Sequence, residues 1–189
     1  FSSFKRYSSE GAEIMSVAMD NILRFSSENN VEEAVIGIPH RGRLAYLVSS
    51  LDYPARRLFW KVKGKSEFPA SMMEDNDGTF LVDDVTSHIA VSIDKKFSVV
   101  PSTKPMHVSL LHNPSHLEII GSVAAGKVKA KQESGLNAVC LQVHGDAAMS
   151  GQGCVPEALS FSHLPGFDVD GTIHIVVNNQ IGFTAEGTK

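Results

Sequence analysis

Ala138-Val139-Cys140-Leu141-Gln142-Val143, followed at once by His144-Gly145-Asp146-Ala147, decides how this chain is read. Six residues, five of them apolar, are too short for an amphipathic helix and suit a strand buried on both faces. The strand then breaks into a glycine and a carboxylate. Thirty residues later the pattern recurs. Ile173 to Val177 is a mainly β-branched strand, and Asn178-Asn179-Gln180-Ile181-Gly182 follows it. An acidic side chain after one strand and an amide pair after another are the donors a hard cation takes.

Working outward, Ala34 to Ile38 is a short apolar strand stopped by Pro39, and Met106 to Leu111 is a further strand. Helices are predicted over 9–29, Gly42 to Leu51, Pro54 to about Val62, from near Leu117 onward, and Val155 to Leu164. In the first of these, Ile14, Val17, Ala18, Ile22 and Phe25 mark the apolar face, with Ser9 as the expected N-cap. Residues 63 to 82 are polar and predicted as loop. Strand and helix alternate, so the expected fold is α/β, a parallel sheet with helices on both faces. The polar turns at 39–43, 112–117, 144–147 and 178–182 each follow a strand. In such sheets ligands bind outside the carboxyl ends of the strands, so these motifs are expected on one edge.

The whole chain is compatible with this. Its 189 residues suffice for one domain with a sizeable core. Apolar residues make up 42% and charged residues 20%, ordinary globular values. A formal net charge of -4, with no basic stripe, argues against nucleic acid as a partner. No apolar run is long enough to span a bilayer. Cys140 and Cys154 form no CxxC and no disulfide framework, and both are expected as buried thiols. The chain starts at Phe1 and stops soon after the second half of the signature, which predicts a fragment.

Each turn has a chemical and a plain reading. Asp146 would offer magnesium a carboxylate oxygen, Asn179 an amide oxygen and Ile181 its main-chain carbonyl, with diphosphate and water completing an octahedron. The plain alternative is two unrelated turns. His40-Arg41-Gly42-Arg43 lies between a strand and a helix start, where an anion is favoured, with Arg41 a bidentate donor; taken in isolation it reads first as a solvated basic turn. Asn113-Pro114-Ser115-His116-Leu117-Glu118 is another anion-friendly turn, in which Ser115 would cap a helix or meet phosphate. His116, and His88 in Asp84-Val85-Thr86-Ser87-His88, read on spacing alone as ordinary histidines. His107, His112, His163 and His174 receive no role.

Taken in order, five segments resemble the decarboxylating first component of the 2-oxoglutarate dehydrogenase family. They are Lys5-Arg6-Tyr7 with Glu10-Gly11-Ala12-Glu13, Pro39-His40-Arg41-Gly42-Arg43-Leu44, Asn113 to Glu118, His144-Gly145-Asp146-Ala147 with Gly151-Gln152-Gly153, and Val177 to Thr184. They run from end to end of the chain. Gly64, Ser66-Glu67-Phe68-Pro69 and Ser87 place the resemblance nearest the 2-oxoadipate-type branch. Ser87 stands where 2-oxoglutarate enzymes carry a tyrosine, and Tyr7 where they carry a phenylalanine. His112 departs from the family's small or apolar residue before Asn113.

The resemblance implies a thiamin diphosphate-binding fold, with 1–189 its diphosphate-binding domain and the pyrimidine-binding and C-terminal domains absent. It implies thiamin diphosphate and Mg2+ as cofactors. Asp146, Asn179 and Ile181 would hold the metal; Arg41, Ser115, Leu117 and Ala147 would contact the cofactor. Tyr7, His40, Ser87 and His88 would line the substrate pocket, with His40, His88 and His116 catalytic. The implied reaction is oxidative decarboxylation of a 2-oxo dicarboxylic acid, 2-oxoadipate or 2-oxoglutarate, with the acyl group passed to a lipoyl-bearing acyltransferase. The implied setting is a homodimer in the mitochondrial matrix. Two alternatives stand beside it: a truncated, catalytically incomplete chain that only binds cofactor or a partner, and an unrelated phosphate-binding α/β domain.

Overall fold

A computed structural model describes residues 9–66, 85–97, 104–113, 116–178 and 180. The elements in chain order are α1 (Ile14–Glu28), β1 (Glu33–Gly37), α2 (Arg43–Ser49), α3 (Ala55–Val62), a 3-10 turn (Thr86–His88), β2 (Val91–Lys95), β3 (Met106–Leu110), α4 (Ile119–Glu133), β4 (Ala138–Gly145), α5 (Asp146–Gly151), α6 (Cys154–Ser160) and β5 (Thr172–Val177). The expectations for residues 1–8, 67–82 and 114–115, and for 179 and 181–184, lie outside the described residues.

Among the described residues the sheet has five strands, in the order β2-β3-β1-β4-β5. β3, β1, β4 and β5 are parallel, as the alternation of elements predicts. β2 is antiparallel to β3, with Val91 opposite Leu110 and Lys95 opposite Met106. The sequence did not show β2, because Val-Ser-Ile-Asp-Lys alternates as a half-exposed edge strand does and carries two charges. Its reversed direction has a functional effect. The start of β2, and with it the 3-10 turn holding His88, lies at the same edge as the carboxyl ends of the other strands.

Helices cover both faces. Met15, Met19 and Leu23 of α1, Leu44 and Leu47 of α2 and Leu58 of α3 pack with Ile36, Val108 and Leu141. On the opposite face Ala124 and Val128 of α4 pack with Val35 and Cys140. The chain after β1 passes through β2 to β3 on one side, while the connection after β3 passes β1 to reach β4 on the other. The chain thus reverses its direction of winding between β1 and β4, the position where α/β sheets open a crevice.

α1 corrects the sequence reading. Its buried face is Met15, Met19 and Leu23, whereas Ile14, Val17 and Phe25 are 73%, 54% and 68% exposed. The helix is apolar around much of its circumference, so periodicity alone offered two stripes. The i, i+4, i+8 stripe of unbranched and γ-branched side chains is the one that meets the sheet. Ser9 does not cap it: Glu13 occupies that position, and the Ser9 carbonyl instead accepts from the Ala12 N–H at 2.8 Å. Cys140 is buried as expected, but Cys154 is only half-buried.

α4 lies unusually close to the sheet at its first turn. A Cβ on Gly121 would stand 2.6 Å from Gln142 Oε1, and one on Gly37 would stand 3.3 Å from the Ile120 carbonyl oxygen. Gln142 Nε2 donates to the Gly121 carbonyl at 3.0 Å. Two small residues therefore set the start of α4 directly against the ends of β1 and β4.

Candidate active site at the strand ends

Every described site candidate lies at one edge of the sheet. β4 and β5 end level, with Gly145 opposite Val177. Adjacent strands are about 4.8 Å apart. Asp146 and Asn178 therefore leave neighbouring strands at the same height. Asp146 is half-buried in the first turn of α5, Ala147 beside it is exposed, and the Gln180 N–H donates to Asn178 Oδ1 at 2.9 Å in a turn with Gln180 at φ 59°. Asn179 and Ile181, the other expected metal donors, lie outside the described residues, as do Ser115 and Tyr7. Among the described residues no three His, Cys, Asp or Glu side chains gather as a metal site. The expected donor set does not need such a cluster, since Asp146 is its one acid.

The turn after β1 carries His40 and Arg41, both half-buried. Gly42 follows with φ 73°, a left-handed conformation that favours glycine, and a Cβ there would press on the end of the Met15 side chain. The residue that organises this edge is Arg43, which the sequence reading passed over for Arg41. Its side chain is fully buried. It donates to the carbonyl oxygens of Ile38 at 2.9 Å, Ile89 at 2.6 Å and Leu111 at 2.5 Å. Those carbonyls belong to the three backbones that carry His40, His88 and His112. A planar guanidinium with five donors suits three converging acceptors.

Ser87 and His88 are half-buried in the 3-10 turn. His112, which the sequence left without a role, has Nδ1 2.7 Å from the His88 carbonyl oxygen. A carbonyl only accepts, so His112 carries its proton on that nitrogen. Here it fastens the His88 turn to the end of β3. His116 is exposed and Leu117 half-buried at the start of α4.

Behind the edge is a buried polar chain. His144 Nδ1 is 2.6 Å from Glu118 Oε2, and His144 Nε2 is 2.8 Å from His174 Nδ1. Glu118 and His144 are each 3% exposed. The two imidazoles stack, with centroids 5.1 Å apart. Burial holds the His174 pKa below its usual value, with the adjacent His144 adding to the effect and Glu118 opposing it. Glu118 Oε1 is buried and makes no hydrogen bond among the described residues. The Glu118 N–H reaches Gln152 Oε1 at a long 3.4 Å.

Glycines 145, 151 and 153 have open space where a side chain would stand. This fits a site that accepts a phosphate-bearing group, whose oxygens need close backbone approach.

A further cluster resembles a hydrolase triad. Ser92 Oγ is 2.9 Å from His107 Nε2, and His107 Nδ1 is 2.7 Å from Asp94 Oδ1. Asp94 is 75% exposed, and the three residues lie on an open sheet face. Solvent screening at so exposed a carboxylate leaves little to polarise the serine. The cluster cross-links β2 to β3.

The family profile named "Dehydrogenase E1 component" matches residues 18–189. The chain belongs to that family. It is 52% identical over 194 residues to the probable 2-oxoadipate dehydrogenase complex component E1 homolog of Dictyostelium discoideum, covering 100% of this chain and 21% of that one. It is 40% identical over 203 residues to the 2-oxoadipate dehydrogenase complex component E1 of Homo sapiens, with the same coverage. It is 41% identical over 192 residues to the 2-oxoglutarate dehydrogenase E1 component of Rickettsia prowazekii (strain Madrid E), covering 98% of this chain and 19% of that one. The chain therefore spans about a fifth of the length of these curated relatives.

Proposed function

We propose that this chain is the diphosphate-binding part of a thiamin diphosphate-dependent 2-oxo acid dehydrogenase. The reaction is oxidative decarboxylation of a 2-oxo dicarboxylic acid, 2-oxoadipate before 2-oxoglutarate, with the acyl group delivered to a lipoyl-bearing acyltransferase. The setting is a homodimer in the mitochondrial matrix. The observation that carries the reading is the level ending of β4 and β5, which brings the Asp146 turn and Asn178 out side by side. Supporting it are the family membership and the names of the relatives.

Thiamin diphosphate, when bound, supplies the electron sink that loss of carbon dioxide from a 2-oxo acid requires. The chain's own residues supply position and charge. Asp146, Asn179 and the Ile181 carbonyl hold Mg2+, a hard cation suited to oxygen donors. Arg41, Ser115, Leu117 and Ala147 contact the cofactor. His40 and His88, from turns fixed by Arg43, face the dicarboxylate substrate together with Tyr7 and Ser87. A histidine near neutrality both pairs with a carboxylate and moves a proton. His116 lies at the start of α4, beside the cofactor turn.

The test is magnesium-dependent thiamin diphosphate binding by the complete protein and its Asp146→Ala variant. Wild-type binding with loss in the variant supports the reading, and undiminished binding by Asp146→Ala refutes it. A folded complete protein that binds cofactor without turning over either 2-oxo acid would favour the alternative of a cofactor-binding chain alone.

A further inference from the structure

Three of the segments assigned to cofactor and metal are joined from behind by one string of side chains. Glu118 ends the 113–118 turn and sits at the N-cap of α4. His144 is two residues before Asp146 at the end of β4. His174 lies on β5, four residues before Asn178. We propose that Glu118, His144 and His174 are positioning residues that lock these segments into the single arrangement in which Mg2+ and diphosphate bind. The proposal rests on the cofactor reading above.

The geometry makes the string continuous. A buried carboxylate only accepts, so His144 donates from Nδ1 to Glu118 Oε2 across 2.6 Å. His144 Nε2 lies 2.8 Å from His174 Nδ1, and one ring donates to the other across that gap. Each bond fixes the orientation of the ring it reaches. The stacked rings add a second constraint on their relative tilt. Gln142, two residues upstream of His144, bonds to Gly121 in the first turn of α4. The start of α4 and the end of β4 are thus held at two points, and His174 extends the hold to the outermost strand. A metal ligand must stand within a few tenths of an ångström of its place, and outer partners of this kind commonly change metal affinity about 10- to 100-fold when removed.

The experiment measures thiamin diphosphate affinity at saturating Mg2+ by calorimetry on the complete protein, with circular dichroism to verify folding. Glu118→Ala removes the acceptor and should weaken binding roughly 10- to 100-fold. Glu118→Gln keeps an oxygen for His144 Nδ1–H and should restore most of that loss. His174→Phe keeps an aromatic ring but no hydrogen-bonding nitrogen, and should weaken binding in the same direction by a smaller factor. It is also the variant to rely on if Glu118→Ala does not fold. Wild-type affinity in folded Glu118→Ala, or in His174→Phe, overturns the proposal. So does Glu118→Gln binding as poorly as Glu118→Ala, since charge and not the hydrogen bond would then be the cause. Asp146→Ala run alongside separates the two levels. If it alone loses the cofactor, the positioning role falls and the site assignment stands; if it too retains full affinity, the site assignment itself falls.

Discussion

The guanidinium of Arg43 donates to the main-chain oxygen of Ile89 at 2.6 Å, although the two residues are 46 positions apart. Ile89 directly follows His88, so the cation that shapes the β1 turn also holds the turn that carries His88. Arg43→Lys keeps the charge but not the fork. A single ammonium cannot reach all three carbonyls in their present planes, and those left without a donor are buried. The expected cost is about 2–3 kcal/mol of stability. Denaturant unfolding should show it, together with a raised KM for the 2-oxo acid; an unchanged midpoint and KM would show that the fork is dispensable.

His40 and His88 are expected to act on substrate more than on cofactor. His40→Ala and His88→Ala in the complete protein should each lower kcat/KM by about 100-fold or more, with thiamin diphosphate affinity within a few-fold of wild type. Steady-state kinetics beside a cofactor titration reads both quantities. A loss confined to cofactor binding would move these residues out of the substrate pocket.

Ser87 is proposed to line the substrate pocket, where a tyrosine would take up more room. Ser87→Tyr should shift preference from 2-oxoadipate toward 2-oxoglutarate by roughly 10- to 100-fold in the ratio of kcat/KM. One methylene in a pocket is worth about 1–3 kcal/mol. A ratio that does not move would place the selectivity elsewhere.

Gly121 tests the close seat of α4. In Gly121→Ala the new methyl group must displace Gln142 Oε1, whose amide is tied to the Gly121 carbonyl and lies 3.3 Å from Cys140 Sγ. Alanine favours helix by about 1 kcal/mol over glycine, so an exposed site would gain. Here a net loss of about 1–2 kcal/mol is expected, because overpacking outweighs propensity. A stabilised variant would mean that Gln142 yields freely.

Cys140 gives a pH prediction. Burial pushes its thiol up to about 11 from an ordinary 9.0, with the contact from Gln142 acting in the opposite direction. Between those values the folded chain keeps a proton that the unfolded chain releases. Stability from this group is therefore full below pH 9 and declines as pH rises toward 11. The thiol should also resist alkylation at neutral pH in the folded protein. Cys140→Ser should flatten the alkaline decline relative to wild type; identical slopes would assign the decline to other groups.

Much of this fold could be read from the residues. Continuous apolar runs such as 138–143 form strands only where both faces are covered, so the parallel sheet followed from composition and length. The turns at its edge followed from the position of polar residues after those runs. Three things were less legible. β2 alternates and is charged, which matches an exposed loop as well as an edge strand. The buried face of α1 depended on which of two apolar stripes met the sheet. Arg43 and Glu118 carry charges that sequence reading assigns to the surface, and only the convergence of distant carbonyls and imidazoles explains their burial. His112 and His174 were passed over for the same reason, since their partners lie 24 and 30 positions away.

Among the described residues, β5 is the last strand on its side of the sheet and is paired with β4 alone. Sliding it by one residue would carry Asn178 about 3.3 Å along the strand, farther than a magnesium–oxygen bond is long, and would turn His174 to the opposite face. If the proposed site is right, single-residue insertions or deletions in the 161–171 connection are therefore expected to weaken magnesium-dependent cofactor binding as Asp146→Ala does.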